Sequence, residues 1–361
     1  MENKQRIVEQ NKPKPNNDII TRLPKLKKLE KRVNETVIGQ EAVVRSVCTK
    51  IYQSLNFPQF KSNILLVGKS GTGKTEIVRQ IAKYLNMPCT IEDATRYTED
   101  GYIGANVTDM INNLISEAKG KFKLASRGII FFDEIDKKTS RQEKEHDGVS
   151  REGVLKGLLK IIEGTKIKVE NPDYDWLNKE PRYIDFDTSN IIFIFGGAFE
   201  GLDKVRDQRL KKNIKLGFTS AEENQICTST YLNTSFAKED LIEYGLPTEL
   251  VGRISSIYQT RELEIEDLKK ILDVSKKSEF RKYEKMFETY GISLVYSEKL
   301  FELIASNAKK SSTGARELNS LVSHTFEKIM YDTLSNPQIG NYTKCVLDDE
   351  IVDDNSKYHW E

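Results

Sequence analysis

Cysteine is scarce and scattered. Cys48, Cys89, Cys227 and Cys345 lie far apart in 361 residues, and no Cys-x-x-Cys occurs. That excludes a zinc ribbon and a disulfide scaffold, and it points to a reducing cytoplasmic compartment. Histidine is rarer still, with three residues, and no Ser/His/Asp or Cys/His arrangement marks a protease active site. His146, alone in a charged stretch, reads as solvated. The longest clean apolar run, Ile191 to Phe195, falls far short of a membrane span. Met1 to Arg6 leads into no apolar stretch, so no secretory signal is expected. Excess charge of one sign is also lacking. Fifty-six Lys and Arg against 55 Asp and Glu leave a net charge of +1, which argues against general nucleic-acid binding. What the chain does have is 38% hydrophobic and 31% charged residues, the composition of a soluble protein with a real core. Its length suits a large domain with a smaller one attached.

Charge is balanced overall but uneven along the chain. Residues 1–36 carry a local +5 with Pro13, Pro15 and Pro24 among them, and residues 346–361 carry a local −5. These read as a flexible basic leader over 1–34, gaining a helix near Leu26–Val33, and a frayed acidic tail over 348–361 after a terminal strand. Between them lie a large domain over 35–260 and a small one over 261–347.

The large domain alternates helices and strands. Helical periodicity covers Glu41–Leu55, Glu76–Leu85 and Met110–Ala118. Short apolar runs predict buried strands at Ile64–Val67, Cys89–Ile91, Ile129–Phe132 and Ile191–Phe195. Such runs separated by helices predict an α/β fold, a parallel sheet covered on both faces. Beyond Thr260 the pattern becomes mainly helical, with stripes from Phe280 to Tyr290, Leu300 to Ala308 and Leu318 to Met330.

Gly68-Lys69-Ser70-Gly71-Thr72-Gly73-Lys74-Thr75 fits G-x-x-x-x-G-K-[ST], directly after a predicted strand and before a predicted helix that continues with Glu76. In that context the glycines turn backbone N–H groups toward phosphate oxygens at a helix N-terminus. Lys74 then neutralises phosphate charge and the Thr75 hydroxyl suits Mg²⁺. Fifty-nine residues beyond Lys74, a four-residue apolar run ends in Asp133-Glu134. Both carboxylates emerge at the C-terminal end of a strand. Asp133 suits the Mg²⁺ shell, and Glu134 suits deprotonation of an attacking water. The two motifs together predict ATP hydrolysis.

The dense motifs along the chain resemble the ClpX family of AAA+ unfoldases over residues 35–347. They include Val37-Ile38-Gly39-Gln40-Glu41, the phosphate loop, Gly101-Tyr102-Ile103-Gly104, Phe132 to Lys137, Gly196-Gly197-Ala198-Phe199, Val251-Gly252-Arg253 and Thr313-Gly314-Ala315-Arg316. The related HslU pattern carries a long insertion, for which the 26 residues between Gly104 and Phe131 leave no room. The resemblance implies an AAA+ ATPase domain with a smaller helical C-terminal domain. It implies Val37 and Ile38 against adenine, Arg316 as a sensor reaching the phosphates from the small domain, and Arg253 as a finger acting on the neighbouring subunit's site. A finger in trans implies a closed homo-oligomeric ring, a hexamer in the family. Tyr102 and Ile103 match the pore loop that grips unfolded or tagged protein substrates. Leu216-Gly217-Phe218 matches the tripeptide that docks a ClpP-type peptidase.

The chain also departs from that family. No cysteine or histidine precedes Cys48, so the family's N-terminal zinc-binding domain has no ligands here and no zinc is expected. The basic pore-entrance loop is replaced over Asn171–Phe186 by acids and aromatics. Pro247 sits one position before the family's proline. Other readings of the same ATP site are a stand-alone protein remodeller without a peptidase, an AAA+ nucleic-acid remodeller, and a non-hydrolysing scaffold. The nucleic-acid reading lacks a basic element beyond the leader, and the scaffold reading needs a damaged Glu134 or Arg253.

Overall fold

The computed structural model describes residues 26–96, 108–138, 150–171, 174, 181–216, 235–275, 277–311 and 314–361. The large domain is built on five parallel strands, β1 (Ile64–Val67), β2 (Cys89–Asp93), β3 (Ile129–Asp133), β6 (Ile192–Gly197) and β7 (Ser256–Gln259), in the order β2-β3-β6-β1-β7. Side chains alternate along each strand, and both faces are buried. Leu65, Val67, Ile130, Phe132, Phe193 and Phe195 join one core, and Ile64, Leu66, Ile129, Phe131, Ile192 and Ile194 join the other. Two covered faces explain why the inner strands β1, β3 and β6 are continuous apolar runs rather than alternating ones.

The second core is closed by three helices, α1 (Leu26–Asn34), α2 (Glu41–Asn56) and α3 (Lys74–Leu85). The first is closed by α4 (Asp109–Glu117), α5 (Phe122–Ala125), α6 (Ser150–Glu163), α7 (Leu202–Leu216), α8 (Lys238–Tyr244) and α9 (Thr248–Arg253). A short antiparallel pair, β4 (Lys166–Glu170) and β5 (Tyr183–Asp187), stands apart from the main sheet. It leaves Lys166, Lys168, Glu170, Tyr183, Asp185 and Asp187 exposed while burying Val169 and Phe186.

The small domain contains α10 (Ile265–Asp273), α11 (Glu279–Thr289), α12 (Glu298–Lys310) and α13 (Ala315–Ser335). Its core centres on Phe326, which stacks on Tyr283 at 4.4 Å and meets Phe280 edge-on at 5.3 Å. Three further strands, β8 (Ser293–Val295), β9 (Lys344–Leu347) and β10 (Tyr358–Trp360), form a sheet in the order β10-β9-β8.

Two expectations from the sequence need correction. The acid-rich stretch 348–361 is not a frayed tail. Ile351 and Val352 enter the small-domain core, β10 pairs antiparallel with β9, and the Trp360 ring lies 5.8 Å from Tyr342 and 6.4 Å from Phe287. Counting acids concealed these three apolar anchors. Likewise, the leader does not extend to residue 34: the helix expected near Leu26–Val33 is α1, and it is packed on the large domain, with Leu29 and Val33 fully buried and Arg45 reaching Glu30 at 2.8 Å. Residues 1–25 lie outside the described residues.

The phosphate-binding loop leaves the middle of the sheet. Gly68 N–H donates to the Gly197 carbonyl at 3.1 Å, and Thr260 N–H donates to the Val67 carbonyl at 2.8 Å, so the loop rises between β6 and β7. Thr260 then starts the connection to the small domain. That connection is tied down on several sides. Gln40 exchanges hydrogen bonds with the Arg261 backbone at 2.7 and 3.1 Å, and the Arg261 guanidinium grips Asp267 of α10 with bonds of 2.6 and 2.9 Å. This pairing holds the Asp267 carboxyl below its ordinary range despite partial burial.

Candidate functional site

A cleft of about 510 Å³ lies between the phosphate loop and the small domain. That volume is of the size that holds a nucleotide-sized ligand. One wall is the loop from Ser70 to Thr75 with Glu76 of α3. The facing wall carries Asp133, Glu134 and Asp136 from the end of β3 and the turn after it. Arg316, in the first turn of α13, and the apolar residues Val37, Ile38, Leu263 and Ile271 complete the lining. Gly73 caps α3 without any side-chain hydrogen bond, which leaves the first-turn N–H groups to meet a bound anion.

Two glycines at the site have specific reasons. Gly68 has φ +154°, and a Cβ there would sit 2.0 Å from Thr260 Oγ1. Gly314 has φ +57° and places the start of α13 against the loop, where an added Cβ would lie 3.5 Å from the Ser70 carbonyl oxygen. Glycine at 68 thus lets Thr260 approach the phosphate loop closely, and glycine at 314 allows the positive φ from which α13 starts. Thr72 Oγ1 and Thr260 Oγ1 share a hydrogen bond of 2.8 Å, a further link from loop to hinge.

Lys74 is buried, and burial lowers its pKa, opposed first by the charge of Asp133. Its ammonium donates to the Gly68 and Lys69 carbonyls at 2.5 and 3.0 Å. Those are carbonyls of the loop it must serve, so the cation is held beside the cleft. Thr75 Oγ1 donates to Asp133 Oδ2 at 2.9 Å, and Asp133 Oδ1 accepts the Glu134 N–H at 3.0 Å. The hydroxyl and carboxylate form a compact pair of hard oxygen donors, the chemistry Mg²⁺ prefers. The residues present therefore fit a magnesium-bound nucleotide. No larger metal cage appears, since no group of three His, Cys, Asp or Glu is placed to hold an ion among the described residues. Glu134 is exposed to the cleft with φ +57°, a left-handed backbone unusual for a non-glycine residue.

The residues expected from the sequence are not all brought together. Val37, Ile38, Ser70 to Glu76, Asp133, Glu134 and Arg316 line one cleft. Gly68 and Lys69 lie outside that lining, and the Lys69 ammonium instead pairs with Glu262 of the hinge at 2.6 Å. That contact raises the lysine pKa and lowers that of Glu262. Arg253 is also outside the cleft. It closes α9, half-exposed, and its guanidinium bonds Glu163 at the end of α6. Leu216 closes α7, while Gly217 and Phe218 lie outside the described residues, as do Tyr102, Ile103 and His146. Lys277, which no sequence motif marks, also lines the cleft and reaches Glu76 at 2.6 Å. Nothing in its local pattern distinguishes it from a surface lysine. Asp136 was visible only as part of a motif.

None of the three cysteines among the described residues lines the cleft. Cys48, Cys89 and Cys345 are free thiols pushed up to about 12 by burial. No helix among the described residues is long and apolar enough to cross a membrane.

Residues 59–257 match the family described as AAA domain (Cdc48 subfamily), and residues 263–346 match the C-terminal, D2-small domain, of ClpB protein. Over 322 residues the chain is 34% identical to the ATP-dependent Clp protease ATP-binding subunit ClpX of Bacteroides thetaiotaomicron, covering 86% of this chain and 77% of the relative. The corresponding protein of Treponema denticola is 35% identical over 355 residues, covering 92% and 82%. That of Azotobacter vinelandii is 33% identical over 338 residues, covering 88% and 76%.

Proposed function

The chain belongs to the ClpX family of AAA+ ATPases, and from that premise we propose that it is the ATP-hydrolysing subunit of a ring that unfolds proteins and threads them through a central pore into a ClpP-type peptidase. The observation that carries the ATPase half is the convergence of Lys74, the Thr75–Asp133 pair, Glu134 and Arg316 on one cleft between two domains.

In this reading Lys74 leaves the loop carbonyls and neutralises the terminal phosphates. Thr75 and Asp133 hold Mg²⁺, which when bound offsets phosphate charge. Glu134 takes the proton from the attacking water, and Arg316 reports the phosphates to the small domain. Val37 and Ile38 pack on the base. Arg253 serves the neighbouring subunit, a role supported by its exposure and its absence from the chain's own cleft lining. The many ties between loop and hinge, Thr72 to Thr260 and Lys69 to Glu262, support the coupling of phosphate occupancy to domain movement.

The mechanical and docking roles follow from the family alone. Tyr102 and Ile103 grip the substrate, and Leu216, Gly217 and Phe218 engage the peptidase. The large domain occupies 26–260 and the small domain 261–361. Proteolysis belongs to the partner, the ring is a hexamer, and the compartment is the cytoplasm.

The test is ATP-dependent unfolding of a tagged fluorescent protein, with and without a ClpP-type peptidase. Unfolding in both conditions and degradation only with the peptidase support the reading. Unfolding without any peptidase association makes the protein a stand-alone remodeller. ATP hydrolysis without unfolding removes the unfoldase role. Tyr102→Ala should slow unfolding strongly while sparing hydrolysis, and Phe218→Ala should abolish degradation alone.

A further inference from the structure

Three carboxylates follow β3 along the cleft wall, and their oxygens are used differently. Both oxygens of Asp133 are engaged, by Thr75 and by the Glu134 N–H. Glu134 is exposed to the cleft. Asp136 lies in the turn Ile135–Lys138, lines the same cleft and is only 4% exposed. Its Oδ2 accepts the Phe199 N–H at 3.0 Å. Its Oδ1 is buried and has no hydrogen-bond partner among the described residues. A buried carboxylate oxygen without a donor is costly, so such an atom calls for an external donor.

The surroundings hold that oxygen in place. Glu134 and Phe199, on either side of the contact, both adopt left-handed backbone, with φ +57° and +51°. Strained residues of this kind persist where packing fixes them, commonly at functional sites. A Cβ on Gly197 would lie 2.6 Å from Asp136 Oδ1. Strand β6 therefore ends in Gly196-Gly197 and offers no polar side chain beside the phosphate loop. The polar group present at that point is the Asp136 carboxylate, which reaches over from the neighbouring strand's turn. It is close enough to Lys74 for its charge to help keep that buried ammonium protonated.

Resting on the ATPase reading above, we propose that Asp136 is a positioning residue for hydrolysis, with Oδ1 accepting a hydrogen bond from the attacking water. Glu134 accepts the proton that this water loses. The water oxygen forms the new bond to the γ-phosphorus, the bond from that phosphorus to the bridging oxygen breaks, and its electron pair leaves on ADP. The proton on Glu134 passes to solvent. Asp136 is unchanged through the step, since it fixes one O–H of the water and so turns a lone pair toward phosphorus.

The test compares Asp136→Asn and Asp136→Ala with wild type and Glu134→Gln, measuring fluorescent-nucleotide affinity with Mg²⁺, single-turnover ATP hydrolysis and thermal melting. Asp136→Asn keeps the shape and an oxygen for the Phe199 N–H, so nucleotide affinity and melting should stay within about 2-fold and a few degrees. Hydrolysis should fall by about 10- to 100-fold, the scale for losing orientation of a reacting group. Wild-type hydrolysis with an unaffected Asp136→Asn variant overturns the proposal but not the ATPase reading. A parallel loss of affinity and rate makes Asp136 a partner of Lys74 and also overturns it. Loss of melting temperature in Asp136→Asn reduces the residue to a structural tie. Asp136→Ala, which strips the Phe199 N–H of its acceptor, is expected to melt lower as well. Absence of hydrolysis in wild type refutes this proposal and the ATPase reading together.

Discussion

Lys277 of the small domain and Glu76 of the phosphate-loop helix lie 2.6 Å apart, so an ion pair bridges the mouth of the cleft. Glu76 also accepts from Gln80 at 2.6 Å. The pair is partly exposed, at 45% and 25%, so its worth is small, at most about 1 kcal/mol. Its position matters more than its strength, because it ties the two walls that close on a nucleotide. Lys277→Ala is expected to weaken nucleotide binding about 2- to 5-fold, on that energy scale. The difference from wild type should shrink as salt rises. A double-mutant cycle with Glu76→Gln, read by nucleotide affinity, should show the two changes are not additive. Additive losses would mean that the two side chains act independently.

Glu134→Gln should separate binding from turnover. The variant keeps Lys74, Thr75 and Asp133, so it should bind ATP at near wild-type affinity and hydrolyse it at least about 100-fold more slowly, the scale of a lost general base. Lys74→Ala should instead weaken binding itself, because a buried cation facing the phosphates is gone. Trapped ATP in the first variant and empty protein in the second, assayed by retained nucleotide after gel filtration, is the expected contrast.

Much of this was legible because the relevant signals are local. The phosphate loop, the acidic pair after β3 and four of the five parallel strands announce themselves through glycine spacing and apolar runs. Strand β7 was not legible. Ser256-Ile257-Tyr258-Gln259 is half polar and only partly buried at the sheet edge, so no apolar run marks it. In the small-domain sheet the expected terminal strand is β9, while β8 and β10 were missed because three residues each are too few to make an apolar run. At the site, Lys277 and Asp136 owe their importance to what tertiary folding puts opposite them. Glu76 lies 201 positions from Lys277 along the chain. No periodicity encodes such a pairing. Arg253 is the reverse case, because only the family resemblance singles it out and its own cleft does not contain it.

Lys61 offers a test by pH. It donates to the Ser189 carbonyl at 2.8 Å, lies 5.5 Å from the Phe193 ring centroid, and is pushed down to about 8 by burial, against the opposing charge of Asp187. The folded protein therefore binds this proton less tightly than the unfolded chain, whose lysine titrates near 10.5. Between those values the unfolded state holds more protons, so this residue's contribution to stability rises with pH. Below about 8 its contribution is unfavourable and constant. Lys61→Met should melt higher than wild type near pH 7, by a few degrees. The gap should narrow by pH 10. A gap independent of pH would show that the packing of the chain, not its charge, is responsible.

Arg253 and Glu134 make the sharpest prediction, because they are expected to belong to one active site on different subunits. Arg253 is half-exposed, bonded to Glu163 and absent from its own cleft lining. If it completes the site of a neighbour, rings made only of Arg253→Ala subunits lack every finger, and rings made only of Glu134→Gln subunits lack every base. Each should lose at least about 1,000-fold and 100-fold in turnover, respectively. Mixed rings differ. A cleft from an Arg253→Ala subunit keeps Glu134, and a Glu134→Gln neighbour supplies Arg253. In a random equal mixture about one quarter of the interfaces pair an intact cleft with an intact finger, given head-to-tail contacts around a closed ring. Mixing the two inactive proteins under conditions that exchange subunits should therefore restore hydrolysis to the order of a quarter of wild type. Continued inactivity after verified exchange would place the arginine's action within its own subunit, or outside catalysis altogether. The Arg253–Glu163 contact adds a condition to the result, since the guanidinium must leave Glu163 to enter the neighbour's cleft. Glu163→Gln, which loosens that hold, should leave the restored rate unchanged or raise it.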